Sequence, residues 1–417
     1  MQTEKDQTDS LRDNNPKTNP YLLSHLRQEE EFFSSFKSSK LHHSWLIVGP
    51  RGIGKATLAY RIARYIFTLI DADHFKNLNI KIDQSAQIVD NSVYYEEDDD
   101  EDDYTNDMEF FDDSESDSQL SSSVSTKSDD LEELDTSPLK LPKSHPVFER
   151  LIAGGLTDLF IVEREYNDTT KKLKTEISIE QIRALKEFFS KTSSEGGYRV
   201  AIIDSVDEMN PNSSNALLKI LEEAPKKSLL LLICHNINGV LPTIKSRCRI
   251  LKLSPITNDN MDILLRNYLP DIDEQSHNTL LNISGGSIGL ALNIYNNNGL
   301  ELQRQILKII PEIFNKKNAG ILDVANIINS EEMFKIFEHI ILNFIENAIK
   351  FKSGITLKNI DDVETIALQT ITSYYKNIKA LFGIRESLLK NFRLYPILNL
   401  DITALVISTF ERMKNVY

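Results

Sequence analysis

Residues 49–57, Gly-Pro-Arg-Gly-Ile-Gly-Lys-Ala-Thr, have the spacing of a phosphate-binding loop with one part replaced. The pattern G-x-x-x-x-G-K-[ST] is met by Gly49, Gly54 and Lys55, and a further glycine, Gly52, lies between them. Such a loop lets backbone N–H groups approach an anion, adds a lysine charge and sets a helix N-terminus behind both. The last position of the pattern, whose hydroxyl would ligate Mg²⁺, is Ala56. Thr57 stands one residue late, and one helical step of about 100° turns its side chain away from the metal. A second requirement is an acid at the end of a neighbouring strand, to hold the metal's water shell. Asp204 meets it, after the run Val200-Ala201-Ile202-Ile203. The next residue, where a glutamate would orient an attacking water, is Ser205. Phosphoryl transfer rests on positioning and charge stabilisation, so both losses bear on the chemistry. The expectation is a degenerate nucleotide site of Gly49, Gly52, Gly54, Lys55, Thr57 and Asp204, with ATP or ADP bound without hydrolysis if bound at all. An alternative is an autonomous ATPase that uses Thr57 and Glu208 in displaced roles.

The elements that must position these residues follow from periodicity. The loop follows an apolar strand-like run, Trp45-Leu46-Ile47-Val48, and opens a helical run over 58–67. Apolar residues at approximate helical spacing predict a helix over 21–36, and Ile179, Ile182, Leu185, Phe188 and Phe189 mark one face of another. Strands are expected at 159–162, 198–204 and 229–234, the last apolar throughout, as in a parallel sheet covered on both faces. A helix is expected at 215–223. Strands alternating with helices imply an α/β domain. After Pro255 the strand signal fades into short helices around Gly285-Gly286, and from 299 onward the chain reads as long amphipathic helices, for example Phe334, Phe337, Ile341, Phe344, Ile345 and Ala348.

A chain of 417 residues with 41% hydrophobic content can build two to three domains. Its formal net charge of −15 is concentrated: about 20 carboxylates against the single Lys127 lie between residues 90 and 135, a self-repelling block. Removing that block leaves the rest near about +4, a mildly basic remainder. The block and the serine-rich run after it cannot bury enough apolar surface to offset ordering entropy, so a disordered insertion is expected over about 90–138. Residues 1–19 read as a disordered leader without the apolar core of a signal peptide. The longest strongly apolar run, 229–234, is too short to span a bilayer. Two cysteines, Cys234 and Cys248, without a C-x-x-C, give neither a disulfide framework nor a zinc site, which fits a reducing, cytoplasmic compartment.

With the P-loop, VAIID, NALLKILEE and Leu241-Pro242-Thr243-Ile244-Lys245-Ser246-Arg247-Cys248 in view, the chain resembles the clamp-loader group of AAA+ proteins. The phrases LHHSWLIVGPRGIGKATLAYRIAR, SEGGYRVAIIDSVDEMN and LPTIKSRCRIL carry the resemblance from about residue 19 to 253, and it continues more weakly beyond. Within that group the defective P-loop and the Asp-Ser pair look like the delta-prime branch rather than the ATP-hydrolysing gamma/tau subunits. The resemblance implies a AAA+ domain at 20–254, a helical lid at 255–298 and a helical collar for oligomerisation at 299–417. It also implies that Arg247, in the motif Ser246-Arg247-Cys248, reaches in trans to the γ-phosphate held by a neighbouring subunit. By its residues alone Arg247, between Lys245 and Arg249, reads as an ordinary basic strand edge. Active relatives carry an arginine in a lid turn that matches residues 286–291, where this chain has Leu290. Many relatives carry a zinc-binding cysteine cluster after the first helix; none lies there, so no zinc and no other metal is expected. The partners implied are gamma/tau ATPases and delta in a hetero-oligomeric ring, with the sliding clamp and primed DNA beyond them and no membrane. The chain would then be a subunit of a DNA-directed DNA polymerase, a nucleotidyltransferase, without intrinsic ATPase. A third reading, a DNA-binding replication adaptor, needs a clustered basic and aromatic surface that the sequence does not display.

Overall fold

Alternating apolar strands and amphipathic helices close into a parallel sheet covered on both faces, followed by an all-helical half. The computed structural model describes residues 15–77, 131, 134–167, 172–174, 176–315, 320–398 and 401–414, with backbone only at 70–77 and 394–398. The acidic stretch 90–130 and residues 1–14 of the leader lie outside the described residues. In chain order the first half comprises α1 (Leu26–Lys37), β1 (Ser44–Val48), α2 (Lys55–Asn77), α3 (Pro146–Ile152), β2 (Leu159–Glu163), β3 (Tyr166–Asn167), β4 (Lys172–Leu173), α4 (Ile179–Ser190), β5 (Arg199–Asp204), α5 (Pro211–Glu222), β6 (Ser228–Cys234), α6 (Pro242–Lys245) and β7 (Arg249–Lys252). Then come α7 (Asn258–Tyr268), α8 (Glu274–Ile283), α9 (Ile288–Asn296), α10 (Gly299–Phe314), α11 (Ile321–Ile327), α12 (Glu331–Lys352), α13 (Asp362–Tyr374), α14 (Ile378–Leu398) and α15 (Ile402–Lys414).

The five-stranded sheet has the order β2-β5-β6-β1-β7, and every pairing is parallel. β6 is buried along its whole length, which is why its sequence is continuously apolar. Alternation splits the side chains of β1: Trp45 and Ile47 join Leu58, Ile62 and Ile66 of α2 in one core, while Leu46 joins Leu217 and Leu221 of α5 in the other. In the parallel register Ser44 opposes Leu230 and Val48 opposes Cys234, so the loops after β1, β5 and β6 gather at one end of the sheet. That end is the crevice where open α/β sheets bind ligands.

Some boundaries differ from expectation. The first helix begins at Leu26, not 21, because Leu22 and Leu23 belong to an extended arm whose side chains are buried in the core rather than set on a helical face. Residues 15–19 and 134–138, read as parts of a disordered leader and insertion, carry defined structure. The cause is two buried arginines on α2. Arg61 donates to both oxygens of Asp135 (2.6 and 3.1 Å) and to the carbonyl of Pro20 (2.6 Å), and its Nε lies 2.7 Å from the Glu29 carboxylate. Arg64 donates to the carbonyls of Lys17 and Asn19 and stacks over Phe148. A buried guanidinium left unpaired would be strongly destabilising, so both flanking segments are held. Against the pull of Arg61, burial lifts Glu29 to about 7. The small hairpin β3–β4, with Tyr166 opposite Leu173, is an element the periodicity does not signal.

Candidate functional site

The phosphate-binding loop forms as its glycines predict. It joins β1 to α2, with Gly52 at φ +75° and Gly54 at φ +103°, conformations that residues with a Cβ adopt poorly. Lys55 is 3% exposed and turns back onto the loop, its Nζ donating to the carbonyl of Gly49 at 2.6 Å and to that of Pro50. Burial lowers its pKa to about 8, against the opposing pull of the Asp204 carboxylate. Ala56 is partly buried at the head of α2 and Thr57 is buried beside it. Among the described residues no group of three or more His, Cys, Asp or Glu side chains is arranged to hold a metal ion.

Asp204 ends β5, and burial raises its pKa. The Ser205 hydroxyl donates to Asp204 Oδ1 at 3.1 Å and lies 2.7 Å from His235 Nε2. A hydroxyl has one proton; with that proton on Asp204, the neutral imidazole donates from Nε2. Burial, then the nearby Lys55 and Arg51 charges, hold the His235 pKa down to about 3, so the ring is neutral. Sequence reasoning missed His235, whose signal was its position one residue past the apolar strand that neighbours Asp204. The two acids beyond β5 serve the loops. Asp207 accepts from the backbone N–H groups of His235 (3.0 Å) and Asn236 (2.9 Å), which shapes the turn after β6. Glu208 is paired with Arg51 of the phosphate-binding loop and with Arg164 at 2.9 Å. The displaced catalytic role considered for Glu208 therefore meets a carboxylate already neutralised by two guanidiniums.

The helical segment after β7 closes onto the same loop. The Gly289 N–H at the start of α9 donates to the carbonyl of Gly52 at 2.9 Å, and the Ser287 hydroxyl donates to the carbonyl of Arg51 at 2.8 Å. Two glycines allow this approach, since a Cβ on Gly289 would lie 2.8 Å from Gly52 Cα. Ser287 also caps α9 by accepting from the N–H of Leu290, the residue at the position where an arginine was sought. On the far side of the loop a Cβ on Gly54 would lie 2.5 Å from Leu22 Cδ1, and His25 Nε2 bonds the carbonyl of Ile53 at 2.8 Å. The structure thus brings Gly49, Gly52, Gly54, Lys55, Thr57 and Asp204 together, and adds Arg51, Ser205, His235, Ser287 and Gly289.

Ser246, Arg247 and Cys248 lie elsewhere. β7 runs parallel to β1 with Arg249 opposite Trp45, and the carbonyl of Arg247 accepts from Ser44 Oγ at 2.6 Å. Ser44 precedes Gly49 by five strand residues, so Arg247 sits about 16 Å from the start of the phosphate-binding loop, at the other end of the sheet. Its guanidinium is 37% exposed, donates from Nη1 to the carbonyl of Thr243 at 3.1 Å and pairs from Nη2 with Glu222 at 2.8 Å. Cys248 is partly buried, and burial lifts its thiol to about 11. No described helix is long and apolar enough to cross a membrane.

The comparisons with known proteins agree with the motifs. The family described as "DNA polymerase III, delta subunit" matches residues 143–257. DNA polymerase III subunit delta' of Pseudomonas aeruginosa is 32% identical over 171 residues, which cover 41% of this chain and 50% of that protein. Subunit delta' of Bacillus subtilis is 36% identical over 108 residues, covering 26% of this chain and 30% of that one. The chain thus spans half or less of the length of these curated relatives. Among solved structures, a DNA polymerase III gamma subunit-related protein from Thermotoga maritima aligns over 62% of this chain and 83% of its own, with 16% identity and a TM-score of 0.33. The resemblance read from the VAIID strand and the Ser-Arg-Cys motif is borne out over residues 143–257, which match that family, and the chain is similar in part to subunits named delta' of bacterial DNA polymerase III.

Proposed function

We propose that this chain is a clamp-loader subunit of the delta-prime type, a non-hydrolysing member of a hetero-oligomeric ring that places a sliding clamp on primed DNA during replication. Its own P-loop is a degenerate site, and its contribution to chemistry is Arg247, offered in trans to the triphosphate of an adjacent gamma/tau-type ATPase. The observation that carries the reading is the position of Arg247. It lies half-buried at the end of the sheet remote from its own loop, where it cannot serve a nucleotide on Lys55, while Ala56, Ser205 and Leu290 replace three groups that hydrolysis would use there. A cation supplied across an interface stabilises charge on the transferring phosphoryl group, and such fingers are worth about 10³–10⁵ in rate in other phosphoryl-transfer enzymes. The helices α10–α15 serve as the collar that joins the ring, with delta among its other members. If nucleotide enters the P-loop, ATP or ADP stays uncleaved.

The test is Arg247→Ala in the reconstituted loader. DNA-stimulated ATP turnover is expected to fall at least about tenfold with assembly intact. Unchanged turnover would reject the finger, and brisk ATP hydrolysis by the isolated chain would reject the non-hydrolysing role.

A further inference from the structure

Arg247 leaves the short helix α6 at an exposed corner, where a long side chain would ordinarily sample many rotamers. Here its backbone is fixed first: its N–H donates to the carbonyl of Ile244 at 3.1 Å and its carbonyl accepts from Ser44. The side chain has three further holds. Nη1 donates to the carbonyl of Thr243 and, at 3.5 Å, to Ser246 Oγ, and Nη2 lies 2.8 Å from Oε1 of Glu222, the last residue of α5. Glu222 is itself held through the helix that carries it. Ile220 and Leu221 are buried beneath it, and the carbonyl of Leu221 is bonded by His43 Nε2 at 3.0 Å. The last turn of α5 is therefore anchored independently of Arg247.

From this arrangement we infer that Glu222 is the positioning residue for Arg247. The inference rests on the proposed finger role. A guanidinium presents five N–H donors in a rigid plane. The contacts to Thr243 and Ser246 both come from its own turn and reach one nitrogen, whereas the contact from the end of a different helix reaches the other and fixes the direction of the plane. The contact uses a single carboxylate oxygen on one Nη, and with Nη1 on Thr243 and Ser246 it leaves Nε and the second N–H of Nη2 of the half-buried guanidinium for an anion on another chain. What matters is an acceptor oxygen at that point on α5, more than its charge, because an exposed ion pair contributes little by attraction alone.

The experiment uses the reconstituted loader carrying the full chain, with Arg247→Ala, Glu222→Ala, Glu222→Gln and the double variant compared for DNA-stimulated ATP turnover. Glu222→Ala is expected to lower kcat about threefold to fivefold, with KM for ATP and assembly unchanged, the size of an exposed pair's contribution. Glu222→Gln, which keeps the acceptor oxygen, is expected to recover at least half of that loss. Adding Glu222→Ala to Arg247→Ala should cost nothing more, since the two act as one unit. Turnover of Glu222→Ala at or above the wild-type rate overturns the positioning role even when Arg247→Ala is slow, and so does a further loss in the double variant. An Arg247→Ala loader with wild-type turnover overturns the finger itself, and the positioning role with it.

Discussion

At His235 the protein keeps an imidazole uncharged within reach of Lys55 and Arg51. A third positive charge would be repelled there, so neutrality is what lets the ring bond Ser205 beside the phosphate-binding loop. The consequence for stability has a definite sign. The folded pKa is about 3 and the ordinary value is 6.5, so between those limits the unfolded chain binds a proton that the folded chain refuses. This residue's contribution is complete above pH 6.5 and declines as the pH falls from there. In urea unfolding at pH 7 and pH 5, the wild type is expected to lose about 1–2 kcal/mol more than His235→Asn over that interval. Taking the difference between the two proteins cancels other buried groups, such as Glu29, whose raised pKa works in the opposite direction. Equal losses would show that His235 titrates normally. Nothing local in the sequence announces this histidine: its burial and its neighbours come from three strands and a loop meeting at one end of the sheet.

Among the elements, α9 and the phosphate-binding loop form one hydrogen-bonded unit. The loop's carbonyls at Arg51 and Gly52 are satisfied by Ser287 and Gly289, which hold the helical segment against the α/β domain. The contact depends on two residues without a Cβ. In Gly289→Val the new Cβ would fall 2.8 Å from Gly52 Cα and 3.3 Å from its carbonyl oxygen, backbone atoms that cannot rotate aside. The clasp must part, at a cost of about 1–3 kcal/mol typical of overpacking. Amide hydrogen exchange at residue 289 and in the loop is expected to speed up at least about tenfold, while the interior of α8 is unaffected. Slow exchange at 289 in the variant would mean that the helix is held by other contacts. The glycine spacing 286–289 was readable in the sequence, but as a place where an arginine is missing. That the second glycine is a packing device appears only when the loop is laid against it. The early start expected for α1 failed for a related reason: Leu22 and Leu23 obey burial but not helical period, since the arm packs its side chains into the core directly.

In the molecule as a whole, the parallel sheet separates two sites. Its carboxyl end holds the glycine-rich loop of residues 49–57, and its amino end carries Arg247 and Glu222. Among the C-terminal helices α12 packs against α10, α13 and α14. Phe337 on α12 is fully buried, and its ring lies 6.0 Å from that of Phe334, 6.4 Å from Phe392 of α14 and 6.0 Å from Phe410 of α15. Phe337→Ala is expected to destabilise this half by about 3–5 kcal/mol, read as a lower urea midpoint for the helical signal. A shift under about 1 kcal/mol would mean that the cluster repacks. The amphipathic spacing of 334–348 made α12 legible as a helix, yet periodicity names only a face and never its partner.

By itself the sequence determined the phosphate-binding loop, the absence of a hydroxyl at 56 and of an acid at 205, the buried strands of the sheet and the kinship of the α/β domain. These are properties of neighbouring residues, encoded by spacings short enough for backbone geometry to enforce. Only the tertiary structure decided that Arg247 faces away from its own loop and leans on Glu222, that Gly289 touches Gly52, that His235 joins Ser205, and that Asp135 is drawn from an acidic stretch onto Arg61. Each of these joins groups at least 25 residues apart. Such pairs form because packing brings buried charges and orphaned carbonyls to their partners, a condition no local pattern records.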